Sequence, residues 1–320
     1  MNDQIDFRHD PSLPDLLELK GVSLTYDDDK VPAEKKKWII KNLSFLVQDI
    51  PNRGQFAVIM GPSGCGKSTI LRFLAGLQKP TTGEILIKGR KIDDKEHIGM
   101  VFQQFSSLEW YTVLKNVALP LLIRGIAKRE AKKRAMENIS KMKPAGFGRA
   151  KIVLGKLLLP FALGALTKKF AAAKAAEMIK KVGLGGQDKK FASENELSGG
   201  QLQRVAIARS LISNPEMILM DEPFGALDPY NRLNMQLMLL EMWEQFQSTV
   251  VFVTHSKEEA VFLADDIYIM AANPGRIVRH IHVDLPYPRN LSTRRDKRFF
   301  ETVSEVDEAL RSLTDPSLLK

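Results

Sequence analysis

Apolar positions along the chain follow two different periods. LLELKGVSLTY (16–26), WIIKNLSFLV (38–47) and GQFAVIM (54–60) are short runs rich in β-branched and aromatic residues, which predicts strands. ILRFLAGL (70–77) switches to helical spacing. TTGEILIKGRKI (81–92) suggests a short strand pair, and IGMVFQQ (98–104) a strand ending in a polar loop. From Val113 to Leu184 the pattern is helical. After Ser198 it alternates: helix (199–212), strand (216–222), helix (233–246), strand (249–255), helix (257–264) and strand (266–271). Strands separated by helices imply a parallel α/β sheet with its ligand at the carboxyl ends of the strands. STRRDKRFFETVSEVDEALRSL (292–313) predicts a terminal helix, and DDDKVPAEKKK (27–37) a solvated loop.

Charge adds one asymmetry to this picture. The net charge is +9 over 320 residues. Between Arg124 and Lys190 there are 18 Lys/Arg and four acids, a local +14, which leaves the remainder at −5. A localised basic patch says more about partners than an overall isoelectric point does. The single cysteine, Cys65, excludes an internal disulfide and points to a reducing compartment. No secretory signal pattern is expected at the N-terminus, and no apolar run approaches the ~20 residues of a spanning helix. EAKKRAMENISKM and AAAKAAEMIKKVGL read as two versions of one amphipathic helix, either one helix split by the intervening segment or a repeated helical unit.

Three segments carry the chemistry. Gly61-Pro62-Ser63-Gly64-Cys65-Gly66-Lys67-Ser68, followed by Thr69, fits G-x-x-x-x-G-K-[ST] between a strand and a helix. Its glycines allow backbone N–H groups to turn inward around phosphates, and the following helix adds its positive end. Lys67 is placed for the β/γ-phosphates and the Ser68 hydroxyl for Mg²⁺. A Gly-rich turn with an exposed lysine is the plain alternative, and the strand-to-helix context disfavours it. Met217–Glu222 is an apolar strand ending in two carboxylates, costly to bury unless they meet a cation or do chemistry. Asp221 suits Mg²⁺ and Glu222 a general base that polarises water. A helix cap would be their structural use. In Leu197-Ser198-Gly199-Gly200-Gln201, Ser198 is a helix N-cap and the glycines expose backbone N–H groups. Such an anion site, far in sequence from the first, makes sense if it receives the γ-phosphate bound by a second copy.

With these motifs the chain resembles the ABC ATPase family. The resemblance implies an α/β P-loop NTPase fold: a RecA-like parallel-sheet core with an antiparallel β subdomain, plus an α-helical subdomain. It also implies ATP and Mg²⁺ as cofactors. By the same resemblance Gln103 is the Q-loop glutamine, catalytic and metal-associated, Asp228 in Ala226-Leu-Asp228 belongs to the D-loop, and His255 is the switch histidine. The resemblance also implies that Tyr26 is the aromatic residue that stacks on adenine. A lone His or Tyr is more often structural, and order and spacing raise His255 above that level more than Tyr26. Cys65 reads as a small filler of the loop.

SLEWYTVLKNVALPL, DEPFGALDPYNRLNMQ and ANPGRIVRHIHVDLPYPR further resemble the ATPases of nitrate/sulfonate/taurine-type importers. That implies an ATP hydrolase working as an ATP-sandwich dimer under two integral membrane permease subunits, fed by a solute-binding protein. It would sit peripherally on the cytoplasmic face of the inner (plasma) membrane. The expected organisation is a flexible 1–15, an ATPase domain 16–290 with its helical subdomain at about 104–200, and a tail at 291–320. An insertion at about 143–170 enlarges the helical subdomain, and its core, Leu157–Leu166, is apolar with Pro160 and Gly164 and is flanked by Lys151, Lys156, Lys168 and Lys169. Contact with a membrane surface or partner and a helical hairpin packed on its own domain are both open for it. A nucleic-acid-directed ABC protein is disfavoured, since Lys67 to Ser198 leaves no room for a long coiled coil and one set of motifs is present. A non-hydrolysing module is disfavoured because base, P-loop lysine and signature are all intact. Energising another solute or a lipid remains an alternative.

Overall fold

The computed structural model describes residues 12–313 apart from 29, 33, 51–52, 92–97, 105 and 142–148; the side chains of 134–135, 137–141 and 149–162 are also outside the description. The chain divides into two compact units: residues 1–104 with 215–320, and residues 105–214.

In the first unit, alternation along 16–26 and 38–47 yields antiparallel strands β1 (Asp15–Thr25) and β2 (Trp38–Gln48). Strand β3 (Phe56–Met60) is buried at all five positions and leads through the glycine loop into α1 (Lys67–Leu74). Strands β4 (Thr82–Ile87) and β5 (Arg90–Lys91) complete a four-stranded sheet of order β2-β1-β4-β5. β6 (Ile98–Val101) belongs to the second sheet.

The second unit is helical: α2 (Val113–Ile123), α3 (Ile126–Lys141), α4 (Arg149–Lys181) and α5 (Gly199–Leu211). The two look-alike amphipathic segments separate here. EAKKRAMENISKM lies within α3 up to Lys141, while AAAKAAEMIKK forms the last third of α4, whose 33 residues also take in most of the insertion. Pro160 and Gly164 fall inside that one continuous helix. Helix α4 packs against α2 and α3, with Ala171, Ala175, Met178 and Ile179 buried. The turn of any hairpin, at 142–148, and the side chains of the apolar core up to 162 lie outside the described residues.

Back in the first unit follow β7 (Met217–Asp221), α6 (Pro229–Phe246), β8 (Thr249–Val253), α7 (Lys257–Leu263), β9 (Asp266–Ala271), β10 (Arg276–His282) and α8 (Lys297–Ser312). The second sheet has order β10-β9-β3-β8-β7-β6, parallel from β9 to β6 with β10 antiparallel at one edge. Its central strands are continuous apolar runs, because a parallel strand covered on both faces has no side to leave polar. Leu17, Leu19, Phe45, Ile70, Phe73, Leu219 and Val251 join one core shared by α1 and the two sheets.

Two contacts steady the end of the chain. Arg289, 4% exposed, donates to the carbonyls of Phe262 and Ala264 at 3.2 and 2.7 Å and so closes the C-terminus of α7. Helix α8 packs on α7 with the ion pair Lys257–Asp307 (2.5 Å), and Arg279 of β10 pairs with its Glu305 (3.0 Å). Among the described residues, no helix is long and apolar enough to cross a membrane.

Candidate functional site

The site is built at the carboxyl ends of β3, β7 and β8, neighbours in the order β3-β8-β7, so residues distant in sequence arrive side by side. After β3, the loop 61–66 carries Gly61, Gly64 and Gly66 at φ +156°, +77° and +103°. At Gly66 a Cβ would come within 3.0 Å of Ile40, and at Gly61 within 2.9 Å of the Cys65 sulfur. Only glycine combines that backbone with that space. Cys65 is buried, and burial pushes its thiol up, with Lys67 opposing; it is a filler. Lys67, 6% exposed, donates to the carbonyls of Gly61 (2.9 Å) and Pro62 (3.2 Å), so its ammonium points back into the loop. Ser63 and Gly64 are exposed, and Pro62, Ser68 and Thr69 are half-buried.

β7 delivers the two carboxylates. The Ser68 hydroxyl donates to Asp221 Oδ1 at 3.2 Å, joining the P-loop to the end of β7. Glu222 then turns away from the strand at φ +44°, its N–H held by the Val253 carbonyl at 3.0 Å. Its carboxylate meets His255 Nε2 at 2.6 Å and accepts from Gln103 Nε2 at 3.4 Å. Residues predicted from 61–68, 103, 221–222 and 255 are therefore brought together. Asp228 lies one loop further on, as N-cap of α6, accepting from the backbone of Tyr230 and Asn231 at 3.1 Å and from the Asn231 amide at 2.6 Å. Those bonds, the Asn231 side chain first, hold its carboxyl below the usual range. Tyr26 directly follows β1, is 71% exposed, and its hydroxyl accepts from Gln78 at 3.0 Å.

In the helical unit, Ser198 and Gln201 form a full capping box. Ser198 Oγ accepts from Gln201 N–H at 3.3 Å, and the Gln201 side chain accepts from Ser198 N–H at 3.0 Å. Gly199 and Gly200 form the first turn of α5 between them.

Sequence reading missed a buried polar network behind His255: Thr254, Glu259 and Gln236 are 3%, 4% and 3% exposed. The available signal was Glu259 itself, three and four residues before Phe262 and Leu263 and hence on an apolar helix face.

The arrangement fits a nucleotide triphosphate and a hard cation. Ser68 and Asp221 present adjacent oxygens, which suit a Mg²⁺ ion that keeps most of its own water. No cluster of three His, Cys, Asp or Glu that could hold a metal occurs among the described residues.

The fold and these loops define a nucleotide-hydrolysing cassette, and the comparisons name its family. Residues 40–225 match the family described as "ABC transporter", and the chain belongs to the ATP-binding subunits of that family; it is an ATP hydrolase. It is 39% identical over 262 residues to an uncharacterized ABC transporter ATP-binding protein of Methanocaldococcus jannaschii, covering 81% of this chain and 82% of that one. It is similar to the aliphatic sulfonates import ATP-binding protein SsuB of Bacillus cereus, 36% identical over 253 residues (79% and 81% covered). The taurine import ATP-binding protein TauB of Pseudomonas aeruginosa is 33% identical over 303 residues (94% and 95%). Among solved structures, the dimeric post-hydrolysis state of the ATP-binding cassette MJ0796, bound to ADP and Pi, superposes with a TM-score of 0.60 at 29% identity, over 84% of this chain and 99% of that one.

Proposed function

We propose that this chain energises import of a small sulfonate- or taurine-like solute, two copies closing on ATP beneath two membrane permease subunits. The observation that carries the hydrolytic part is the 2.6 Å contact between His255 and Glu222 at the end of β7. Support for the solute class is the similarity to SsuB and TauB over most of the chain. The chain would act on the cytoplasmic face of the membrane, as a peripheral subunit receiving its solute through a binding protein.

In this reading the P-loop amides and Lys67 hold the β/γ-phosphates, Lys67 exchanging its two carbonyl partners for phosphate oxygens. Ser68, Asp221 and Gln103 would hold Mg²⁺, which when bound offsets charge on the β- and γ-phosphates. Glu222 accepts a proton from the attacking water. His255 fixes the Glu222 carboxylate, and Gln103 bridges toward the same group, so the base is oriented from two sides. Tyr26 offers its exposed ring to adenine. Ser198, Gly199, Gly200 and Gln201 present the N-terminus of α5 to the γ-phosphate held by the other copy, with Asp228 close to that contact. The expected domain bounds, 16–290 with a helical part at about 104–200, stand as part of this reading.

The exposed Lys168 and Lys169 at the end of the insertion would face a membrane surface or permease. Removing residues 144–170 should lower binding to anionic liposomes, and unchanged binding would exclude the lipid contact.

The deciding experiment is co-purification with the membrane subunits, followed by a solute screen for binding-protein-dependent stimulation of ATP hydrolysis. Stimulation by taurine or alkanesulfonates is expected. Stimulation only by an unrelated solute would overturn the solute class, and Glu222→Gln turning over at the wild-type rate would overturn the catalytic assignment.

A further inference from the structure

A buried carboxylate needs a reason, because an apolar or amide side chain in the same space is cheaper to bury. Glu259 is such a group. It lies in the first turn of α7, whose other buried residues are Ala260, Val261, Phe262 and Leu263. Burial raises its pKa, while hydrogen bonds from Thr254 and Gln236 and the charge of Arg232 pull the other way.

Each of its oxygens is committed. One accepts from the Thr254 hydroxyl, the other from Gln236 Nε2 at 2.8 Å. Thr254 Oγ1 in turn accepts from Ser256 N–H at 3.1 Å, and Ser256 Oγ accepts from Glu259 N–H at 3.2 Å. Of the residues flanking His255, Thr254 is thus bound to the Glu259 carboxylate directly, and Ser256 is tied to it through the Thr254 hydroxyl and the Glu259 backbone. The remaining amide oxygen of Gln236 has no partner, so Glu259 is the group that anchors this side chain. One turn earlier on α6, Arg232 donates to the carbonyls of Phe224 (3.3 Å) and Leu227 (2.8 Å). Residues four apart share a helix face, so that face of α6 grips the loop after Glu222 through Arg232 and Glu259 of α7 through Gln236. Glu259, Thr254 and Arg232 also line the cavity of about 370 Å³ that holds Glu222, His255 and Gln103.

We propose that Glu259 is a positioning residue for hydrolysis: through Thr254 and Gln236 it sets the distance between His255 and Glu222. The inference rests on Glu222 being the base, and it assigns the spacing of the pair to a carboxylate that touches neither.

The test uses the full chain, measuring basal ATP hydrolysis, fluorescent-nucleotide affinity and Tm for Glu259→Gln, Thr254→Val, Thr254→Ser and Glu222→Gln. Glu259→Gln and Thr254→Val should each lower kcat at least about tenfold with KM for ATP within about threefold, since a misplaced base loses rate and not binding. Thr254→Ser, which restores the hydroxyl, should recover kcat to within about threefold of wild type. If Glu259→Gln does not fold, the valine and serine variants decide alone. Wild-type kcat in Thr254→Val, or kcat and KM shifting together with a fallen Tm, would overturn the proposal. An active Glu222→Gln would instead remove the reading beneath it, and the two failures are told apart by that variant.

Discussion

Helices α1 and α5 both follow glycine-containing motifs that suit an anion, yet they begin by opposite means. At α1 the N-cap is Gly66 in a left-handed conformation, and no side chain caps the helix. At α5 Ser198 and Gln201 satisfy each other's backbone N–H groups in a closed box. A helix start without a side-chain cap leaves its first donors for something else, whereas a capped one is stable by itself. In the function proposed above, the difference makes the P-loop the principal phosphate site within one chain, and the α5 terminus would be a secondary surface that holds its shape until a phosphate carried by another copy reaches it.

The largest blow to this contrast is expected from Lys67→Ala. Loss of a charged donor should weaken ATP binding roughly 10- to 150-fold and abolish turnover; affinity within about threefold of wild type, read by fluorescent-nucleotide titration, would erase the distinction between the two helix starts. Next comes Glu222→Gln, for which single-turnover assays should show kcat down roughly 10²- to 10⁴-fold with ATP binding retained. Gly66→Ala tests the cap itself. Its φ of +103° and the nearby Ile40 should cost about 1–3 kcal/mol, seen in denaturant melts together with weakened nucleotide binding. The smallest effect belongs to Ser198→Ala, about 1 kcal/mol of local stability in α5 with the ATP affinity of the isolated chain unchanged. Hydrogen exchange in the first turn of α5 would report it, and equal protection in both proteins would show the box to be idle.

What could be read from residues alone followed how local the requirement was. The glycines of 61–66, the paired acids at 221–222 and the Ser198 cap each answer a demand set by a few adjacent residues, and each was visible as a pattern. The apolar runs of β3, β8 and β9 were equally plain, because strands covered on both faces admit little else. Helix α4 was not. Pro160 and Gly164 argue for a break, and the helix runs through both with α2 and α3 packed along its later part. Glu259 was hidden for another reason. Its place on an apolar helix face marks it as buried, but its role depends on Thr254 and on Gln236, 23 residues away, a partner that nothing adjacent in the chain points to.

Glu222 stands at φ +44°, a conformation that an L side chain adopts at a cost of about 1–2 kcal/mol. That residue therefore opposes the fold it serves. A library randomised at 222 and selected for heat resistance alone should drift to glycine, which relieves the backbone and removes the carboxylate at once. Selection for growth on the transported solute should hold glutamate there against the gradient of stability. Deep sequencing of the two pools would show one position pulled in two directions, a record of what turnover extracts from the stability of this chain.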